Sequence, residues 1–190
     1  GYKFTREAGT WKRELEFRPK QISAVYEKFK YPVADLRGWA KRTDTQNGLP
    51  VMTIDFIGTA GGQLITIKGQ VVGDGADPAI NLRITGANFA MDETLVNAFP
   101  PKYVELVRRF RATGRGDFVA EFVQQQGVNL CENEFRVDVR DATVNHLEVP
   151  YPLEKVKGRL VIRTTATDAK RPLRPSEPLT PQPDRDEIVL

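Results

Sequence analysis

The chain has 190 residues, 40% of them hydrophobic and 28% charged, and it carries a net charge of +3. These values fit a soluble protein of one domain, or of one domain and a part of the next, and no apolar run approaches the roughly 18 residues of a membrane-spanning helix. The excess of positive charge is confined to positions 102–115, which hold five basic residues and one acid, so we expect no nucleic acid partner. With one cysteine, Cys131, and one histidine, His146, the chain offers no internal disulfide and no set of Cys or His ligands for a metal, and we predict no cofactor.

The first half of the sequence predicts antiparallel β-strands. Polar and apolar residues alternate over residues 11–17, and extended patterns continue through residues 22–29 and 36–42. Asn47 and Gly48 predict a type I′ hairpin turn because both tolerate positive φ angles, and the pair Gly61 and Gly62 predicts the next turn. The strands that follow have one apolar face, which is typical of an antiparallel sheet with one wet side.

A short pair of helices interrupts the strands at about residues 92–113. Asp92 is a predicted N-cap, Pro101 suits the first position of the second helix, and Gly114 predicts its end. Apolar residues of the second helix recur at the spacing of one helical face: Tyr103, Leu106, Val107 and Phe110. Strands then return up to about residue 165, which brings their number to about nine.

The composition changes after residue 165. Prolines recur at every third residue, the period of polyproline II, at Pro172, Pro175, Pro178 and Pro181. We interpret residues 166–190 as a Pro-rich extended tail or linker, and residues 1–165 as a single β-rich module. A ribbon strapped across an apolar surface is the alternative for the tail.

A motif of eight residues occurs twice, 120 positions apart (151 − 31). It reads Tyr31-Pro-Val-Ala-Asp-Leu-Arg-Gly38 in the first copy and Tyr151-Pro-Leu-Glu-Lys-Val-Lys-Gly158 in the second. The alternation before the motif is repeated too, and we interpret the chain as one full unit, residues 31–150, followed by the start of the next from residue 151. Two unrelated hairpins that share a Tyr-Pro turn are the alternative.

The apolar faces of these strands must be buried, but only one short pair of helices is available to cover them. We therefore predict a mostly-β fold, in which a curved antiparallel sheet forms an open groove or folds over on itself. Ten residues are candidates for an apolar groove that binds lipid acyl chains: Ile54, Phe56, Ile65, Ile67, Leu82, Ile84, Phe118, Phe122, Phe135 and Val137. A closed core made of the same residues is the alternative.

A second candidate surface is basic. Its members are Lys102, Arg108, Arg109, Arg111 and Arg115. They form either the solvent-exposed side of an amphipathic helix or a site for lipid phosphates or an acidic partner.

The sequence contains no catalytic motif that we recognise. A Gly-rich phosphate loop before a helix and a Gly-x-Ser-x-Gly elbow are both missing from it. We predict that the chain is not an enzyme, with a hydrolase built on clustered buried carboxylates as a remaining alternative.

Over about residues 11–165 the sequence resembles the repeating units of the AsmA and TamB-like bacterial envelope proteins. The resemblance rests on the repeated Tyr-Pro motif, on the one-faced strands, and on the segment from Ile84 to Phe118, where a strand leads into short helices, a proline break and a glycine. It implies a long β-groove, anchored at the inner membrane and extending into the periplasm, that carries phospholipid toward the outer membrane. The implied partners are phospholipid or another acyl-chain ligand, neighbouring repeat units of the same chain, and a membrane reached through segments outside this sequence.

We therefore expect a non-enzymatic groove module of the bacterial cell envelope, periplasmic and part of a membrane-anchored protein. Its expected role is inter-membrane lipid transport or outer-membrane assembly. The alternative is a β-sandwich interaction module that binds protein or polysaccharide through the basic helix surface.

Overall fold

The computed structural model of the chain describes residues 1–7, 9–26, 29–74, 78–99, 101–127, 131–146, 151–166 and 185–189. Within them the strands are β1 (Tyr2–Glu7), β2 (Thr10–Phe17), β3 (Ile22–Tyr26), β4 (Phe29–Thr45), β5 (Val51–Ala60), β6 (Gln63–Val72), β7 (Ala79–Ala90), β8 (Thr113–Gln124), β9 (Cys131–Val144), β10 (Leu153–Ala166) and β11 (Arg185–Val189). The helices α1 (Glu93–Ala98) and α2 (Pro101–Phe110) lie between β7 and β8.

All described strands belong to one open, curved antiparallel sheet. Its order is β1-β2-β4-β5-β6-β7-β8-β9-β10-β11, and β3 pairs with β4 off this path. The predicted mostly-β fold, a curved antiparallel sheet with a two-helix insertion, is therefore confirmed. The β-sandwich of the alternative interpretation is wrong, since a sandwich needs two sheets packed face to face.

The two predicted hairpin turns differ in backbone conformation. Gly61 and Gly62 connect β5 to β6 with φ angles of +54° and +75°, as a type I′ turn requires. The type I′ prediction for Asn47 and Gly48 is wrong, because neither has a positive φ and residues 46–50 form a longer loop. Neighbouring strands hold this loop at both ends, through Gln46 N–H to the Trp11 carbonyl (3.2 Å) and Gly73 N–H to the Pro50 carbonyl (2.8 Å).

The helical pair begins as predicted and ends differently. Asp92 caps α1 by accepting a hydrogen bond from Leu95 N–H at 3.0 Å, and Pro101 is the first residue of α2. The prediction that Gly114 ends α2 is wrong. The helix ends at Phe110, and Gly114 lies in β8 with a φ of +131°, where a Cβ would come within 2.8 Å of the Ala142 Cα. Close approach of β9 therefore accounts for glycine at this position.

The C-terminal region contributes a strand. Residues Arg185–Val189 form β11 and pair with Val161 to Thr165 of β10. The predicted tail, residues 166–190, thus ends in an element of the sheet. The proline repeat at 172–181 lies outside the described residues.

The core lies between one face of the sheet and α1. Phe89 of β7 contacts Phe118 edge-on, with ring centroids 4.8 Å apart, and lies 5.6 Å from Tyr31. Leu95 and Ala98 of α1 join the same buried cluster. The same cluster includes residues from Tyr31 of β4 to Ile162 of β10, so the buried part of the apolar face spans these strands.

The two copies of the repeated motif lie in hairpins with the same register. In the first hairpin Leu15 pairs with Arg42, Ile22 with Leu36 and Ala24 with Val33. In the second, each partner is the residue 120 positions later: Phe135 with Ile162, Ala142 with Val156 and Val144 with Leu153. Even the bulge recurs, with left-handed φ angles of 52° at Asp35 and 54° at Lys155.

One proline explains how the hairpins differ. The single strand β9 stands where the first hairpin has two strands, β2 and β3. Pro19 lies between β2 and β3, and a proline has no N–H to donate to a sheet ladder. The break is therefore local, and the pairing on either side of it is kept.

Charged residues form a row across the polar face. Successive strands place these residues directly opposite one another: Asp55, Lys68, Arg83, Glu121, Glu134 and Arg163. Ion pairs join Lys68 to Asp55 (3.3 Å), Arg83 to Glu121, and Arg163 to Glu134 (2.9 Å). The row keeps this face in water, so apolar ligands are expected on the opposite face.

Glu14 should make the stability of the fold depend on pH in the acid range. Its Oε1 lies 2.8 Å from the ammonium groups of Lys12 and Lys41, and these bonds lower the pKa of Glu14 from 4.5 to about 2. A depressed folded-state pKa gives a stabilisation that is complete above about pH 4.5 and is lost as the pH falls toward 2. We expect Glu14→Gln to lower the free energy of unfolding at neutral pH, and this deficit to vanish toward about pH 2.

Urea unfolding of both proteins across this pH range measures the effect. Glu132→Gln is the control, since Glu132 is exposed and forms no ion pair with the described residues. A deficit for Glu14→Gln that stays constant with pH would contradict the assignment.

Candidate functional site

The ten predicted groove residues lie on one face of the sheet. Cross-strand pairs join Phe56 to Ile67 and Ile67 to Ile84. The same holds for Leu82 with Phe122 and for Phe118 with Val137. Strict alternation along each strand places the remaining members on this face too. It is the face on which α1 packs.

Burial divides these ten residues into two sets. Half of them are buried in the core cluster: Ile65, Phe118, Phe122, Phe135 and Val137. The other five are half-buried: Ile54, Phe56, Ile67, Leu82 and Ile84. The first five pack as core residues, and a role in lipid binding stays a prediction for all ten.

An apolar cavity lies beside this core. It has a volume of about 670 Å³ and lies between the helical pair and strands β9 and β10. Its apolar walls come from both layers: Phe99, Val107 and Phe110 on the helical side, and Val139, Val156 and Leu160 on the strands. Ligand pockets typically measure about 300–1,000 Å³, so the cavity is large enough for one small ligand or one acyl chain.

The mouth of the cavity is charged. Three exposed arginines line it, Arg108, Arg111 and Arg159, together with Asp92 and Glu93. Arg108 donates to Glu93 (3.2 Å) and to Asn97 (2.8 Å), and Arg159 donates to Asp138 (2.5 Å).

Arg111 differs from the other two arginines. Its guanidinium has no ion pair or hydrogen bond with any residue that the structure describes, and its backbone is fixed by a bond from its N–H to the Arg108 carbonyl at 3.1 Å. A cation held at the edge of an apolar cavity attracts an anion. The arrangement therefore suits a molecule with an apolar body and an anionic end.

The predicted basic surface is only partly available for such a role. Arg115 donates to the backbone carbonyl of Asn88 at 2.9 Å, and Arg108 bridges α1 and α2 as described. Arg109 lies 3.5 Å from Glu105, a long and exposed ion pair. Lys102 lies in α2, but its side chain is outside the described residues. Among the members whose side chains the structure describes, Arg111 and Arg109 are thus the cations left for a ligand or partner.

Sequence reasoning missed most of the cavity. Of the ten predicted groove residues, Val137 alone lines it. Three of its strand residues, Leu153, Val156 and Gly158, belong to the second copy of the repeated motif. The sequence does contain a signal for these wall residues, because the motif places apolar side chains on both sides of its bulge. The motif itself does not indicate that its two copies differ in how far other residues cover them.

Other kinds of site find no support in the described residues. No group of three or more His, Cys, Asp or Glu side chains there is placed to hold a metal ion. His146 packs edge-on against Phe110, with ring centroids 5.2 Å apart. Neither described helix has the length and apolar character needed to cross a membrane.

Comparison of the chain with protein-family models, with curated proteins and with solved structures finds no match.

Proposed function

We propose that the chain is a non-enzymatic groove module that binds the acyl chain of a lipid, with the chain in the cavity between the helical pair and β9 and β10. The observation that carries the proposal is the apolar cavity of about 670 Å³ with a cationic mouth. By its resemblance to the AsmA and TamB-like proteins, we place this activity in inter-membrane lipid transport or outer-membrane assembly in a bacterial, periplasmic setting.

The energetics favour an acyl chain as the occupant. Each methylene group transferred from water to an apolar site contributes about 0.8 kcal/mol. The cavity walls supply aliphatic and aromatic side chains, and the polar groups are confined to its mouth. An acyl chain fits this division, because its body needs no hydrogen bonds and its head group stays in water.

The mouth favours an anionic head group. Arg111 is exposed and forms no ion pair within the described residues, so a carboxylate or phosphate would meet it without displacing an existing partner. Arginine is well suited to both anions, because its planar fork can donate two parallel hydrogen bonds. A fatty acid anion is therefore the simplest probe of the site.

Fluorescence titration with cis-parinaric acid tests the proposal. We expect saturable binding to one site, and a loss of affinity of about tenfold or more in Leu153→Asp and in Val156→Asp, which place a carboxylate in the cavity wall. Leu64→Asp is the matched control, because Leu64 is 64% exposed, Leu153 is 50% exposed, and Leu64 does not line the cavity. The control should change affinity by less than about twofold.

A separate experiment tests the contact between Arg111 and the anionic head group. Arg111→Glu should weaken binding of the fatty acid and leave binding of the corresponding long-chain alcohol unchanged. Arg109→Glu, two residues earlier in the chain and outside the cavity lining, should affect neither. Equal affinities of Leu153→Asp and Leu64→Asp would contradict the proposal. A partner protein or polysaccharide lost only on charge reversal at Arg109 would favour the alternative interaction module instead.

A further inference from the structure

The volume of the apolar cavity limits the number of acyl chains that it can hold. An apolar cavity of about 150 Å³ binds one benzene molecule. At that packing, the cavity of about 670 Å³ holds about 27 carbon atoms. This number exceeds one acyl chain of about 16 carbons and falls short of the pair of such chains in a diacyl lipid. The cavity is therefore sized for a single chain.

The cations at the mouth of the cavity match an anion with one negative charge. Arg108 is neutralised by Glu93 at 3.2 Å, and Arg159 is neutralised by Asp138 at 2.5 Å. Arg111 forms no ion pair with any side chain that the structure describes. Of the three arginines, Arg111 thus supplies the positive charge that a ligand can neutralise.

The carboxylates at the mouth disfavour a second negative charge on the ligand. Asp92 and Glu93 both line the mouth, and Asp92 is held there because it accepts the Leu95 N–H at 3.0 Å. A phosphate monoester carries a charge of about −1.5 to −2 at neutral pH, whereas a carboxylate carries a single charge. The further charge of a phosphate monoester would lie near these carboxylates without a cation of its own. The mouth therefore favours a monoanion.

One glycine in the wall of the cavity is not explained by its packing. Seven glycines lie in the described strands, and a Cβ built on six of them would come within 3.0 Å of a neighbouring atom. The exception is Gly158 of β10, where a Cβ meets no described atom within 4 Å and the backbone has no positive φ. The described surroundings of Gly158 would therefore accept a larger residue.

A side chain at position 158 would project into the cavity. Gly158 pairs with Val139 of β9, and Leu160 pairs with Val137. Directly paired residues of an antiparallel sheet have side chains on the same face. All four residues line the cavity, and Val137, Val139 and Leu160 also pack in or against the core cluster. Glycine at 158 thus leaves space that a ligand can occupy.

We propose that the ligand of the cavity is a single-chain monoanion, the anion of a long-chain fatty acid, and that Gly158 is a specificity-determining residue that leaves room for its chain. The inference rests on the proposed function, because it names the class of lipid that the acyl-chain site binds. The carboxylate of the ligand pairs with Arg111, and the chain passes β10 at Gly158. The volume disfavours a second chain, and Asp92 and Glu93 disfavour a second charge.

Loading from vesicles tests the class of ligand. The full chain is incubated with phosphatidylcholine vesicles that contain palmitate, hexadecyl phosphate or dihexadecyl phosphate at equal mole fraction. After flotation of the vesicles, mass spectrometry measures the lipid that the protein retains. Relative to palmitate, hexadecyl phosphate adds charge and dihexadecyl phosphate adds a second chain. We expect about one palmitate per protein, and about tenfold less or lower retention of either phosphate.

Substitutions at position 158 test the path of the chain. For saturated fatty acids of increasing length, we expect the affinity to rise up to a longest accepted chain. Gly158→Phe should lower this limit by about seven carbons, the size of the added side chain, and Gly158→Ala should lower it by about one. Leu64→Phe is the matched control and should leave the limit unchanged, because Leu64 is 64% exposed and lies outside the cavity lining. The affinity for decanoate should be unchanged in Gly158→Phe, which distinguishes a shorter site from a lost fold.

The possible outcomes separate this inference from the proposed function. Retention of either phosphate at the level of palmitate would overturn the inference and leave acyl-chain binding standing. The same holds for a chain-length limit that is equal in Gly158→Phe and in the native chain. If the protein retains none of the three lipids, both the inference and the proposed function are overturned.

Discussion

Gly38→Ala is expected to destabilise the fold by about 3 kcal/mol or more, whereas Gly158→Ala is expected to be neutral or to stabilise it by about 0.4–1 kcal/mol. The two positions are equivalent in the repeated motif and differ in what lies beside them. At 38, a side chain both strains a backbone with a φ of +123° and overlaps the β5 backbone. At 158, the backbone has no positive φ, so the smaller freedom of alanine in the unfolded chain favours folding.

Urea unfolding of the two variants and the native chain measures this difference directly. The comparison is internally matched, because the substitution, the motif and the element type are the same in both. Equal destabilisation by the two variants would contradict the difference between the surroundings of the two glycines. It would mean that position 158 is as crowded as position 38.

Phe122→Asp is expected to unfold the chain at ordinary temperatures. Phe122 is 2% exposed and contacts Phe135 edge-on with centroids 5.6 Å apart. Removing a buried phenyl ring costs about 3–5 kcal/mol, and a carboxylate left in its place adds a desolvation penalty. Together these losses approach the whole stability of a typical domain, about 5–15 kcal/mol.

Circular dichroism during thermal unfolding tests the expectation, with Val123→Asp as the control. Val123 is the next residue, points to the opposite face and is 38% exposed, so its substitution should be tolerated. A melting temperature for Phe122→Asp close to that of Val123→Asp would show that Phe122 is not part of the core. Because Phe122 is structural, lipid loss in Phe122→Asp would not identify a binding site; Leu153→Asp is the informative variant.

Alternation along the chain predicted the strands well because it reflects a local constraint. A strand with one wet face must alternate, and β8 does so from Gly116 to Phe122, where every second residue is buried. The cap at Asp92 and the start at Pro101 are also set by a few neighbouring residues. These features were predictable from short windows of sequence.

Other features depend on residues far away in the sequence. The local sequence predicts a helix end at Gly114, but glycine is required there by contact with β9. Phe118 and Phe135 pack against residues far from them in the sequence, Phe89 and Phe99 respectively. The same apolar pattern is closed core in one place and cavity wall in another, and the sequence of a single strand does not distinguish the two.

The repeated motif illustrates what a short stretch of sequence can and cannot predict. Its eight residues were sufficient to predict a repeated local structure, and both copies do adopt the same bulge. Its environment was not predictable, because Tyr31 is covered by Phe89, more than 50 positions later in the chain, whereas Tyr151 is open. A motif specifies its own backbone, and its neighbours decide whether it is buried.

The strand order has a consequence for motion. Almost every strand pairs with its neighbour in sequence, so strands at the margins separate without breaking the pairs at the centre. Local opening then needs the least free energy near the ends of the sheet and the most around β8, where Phe118, Ala120 and Phe122 are all buried in the core. The cavity is bordered by β10, near one margin. For the proposed acyl-chain binding, this strand order predicts a route of entry through transient release of the outermost strands while the centre stays folded.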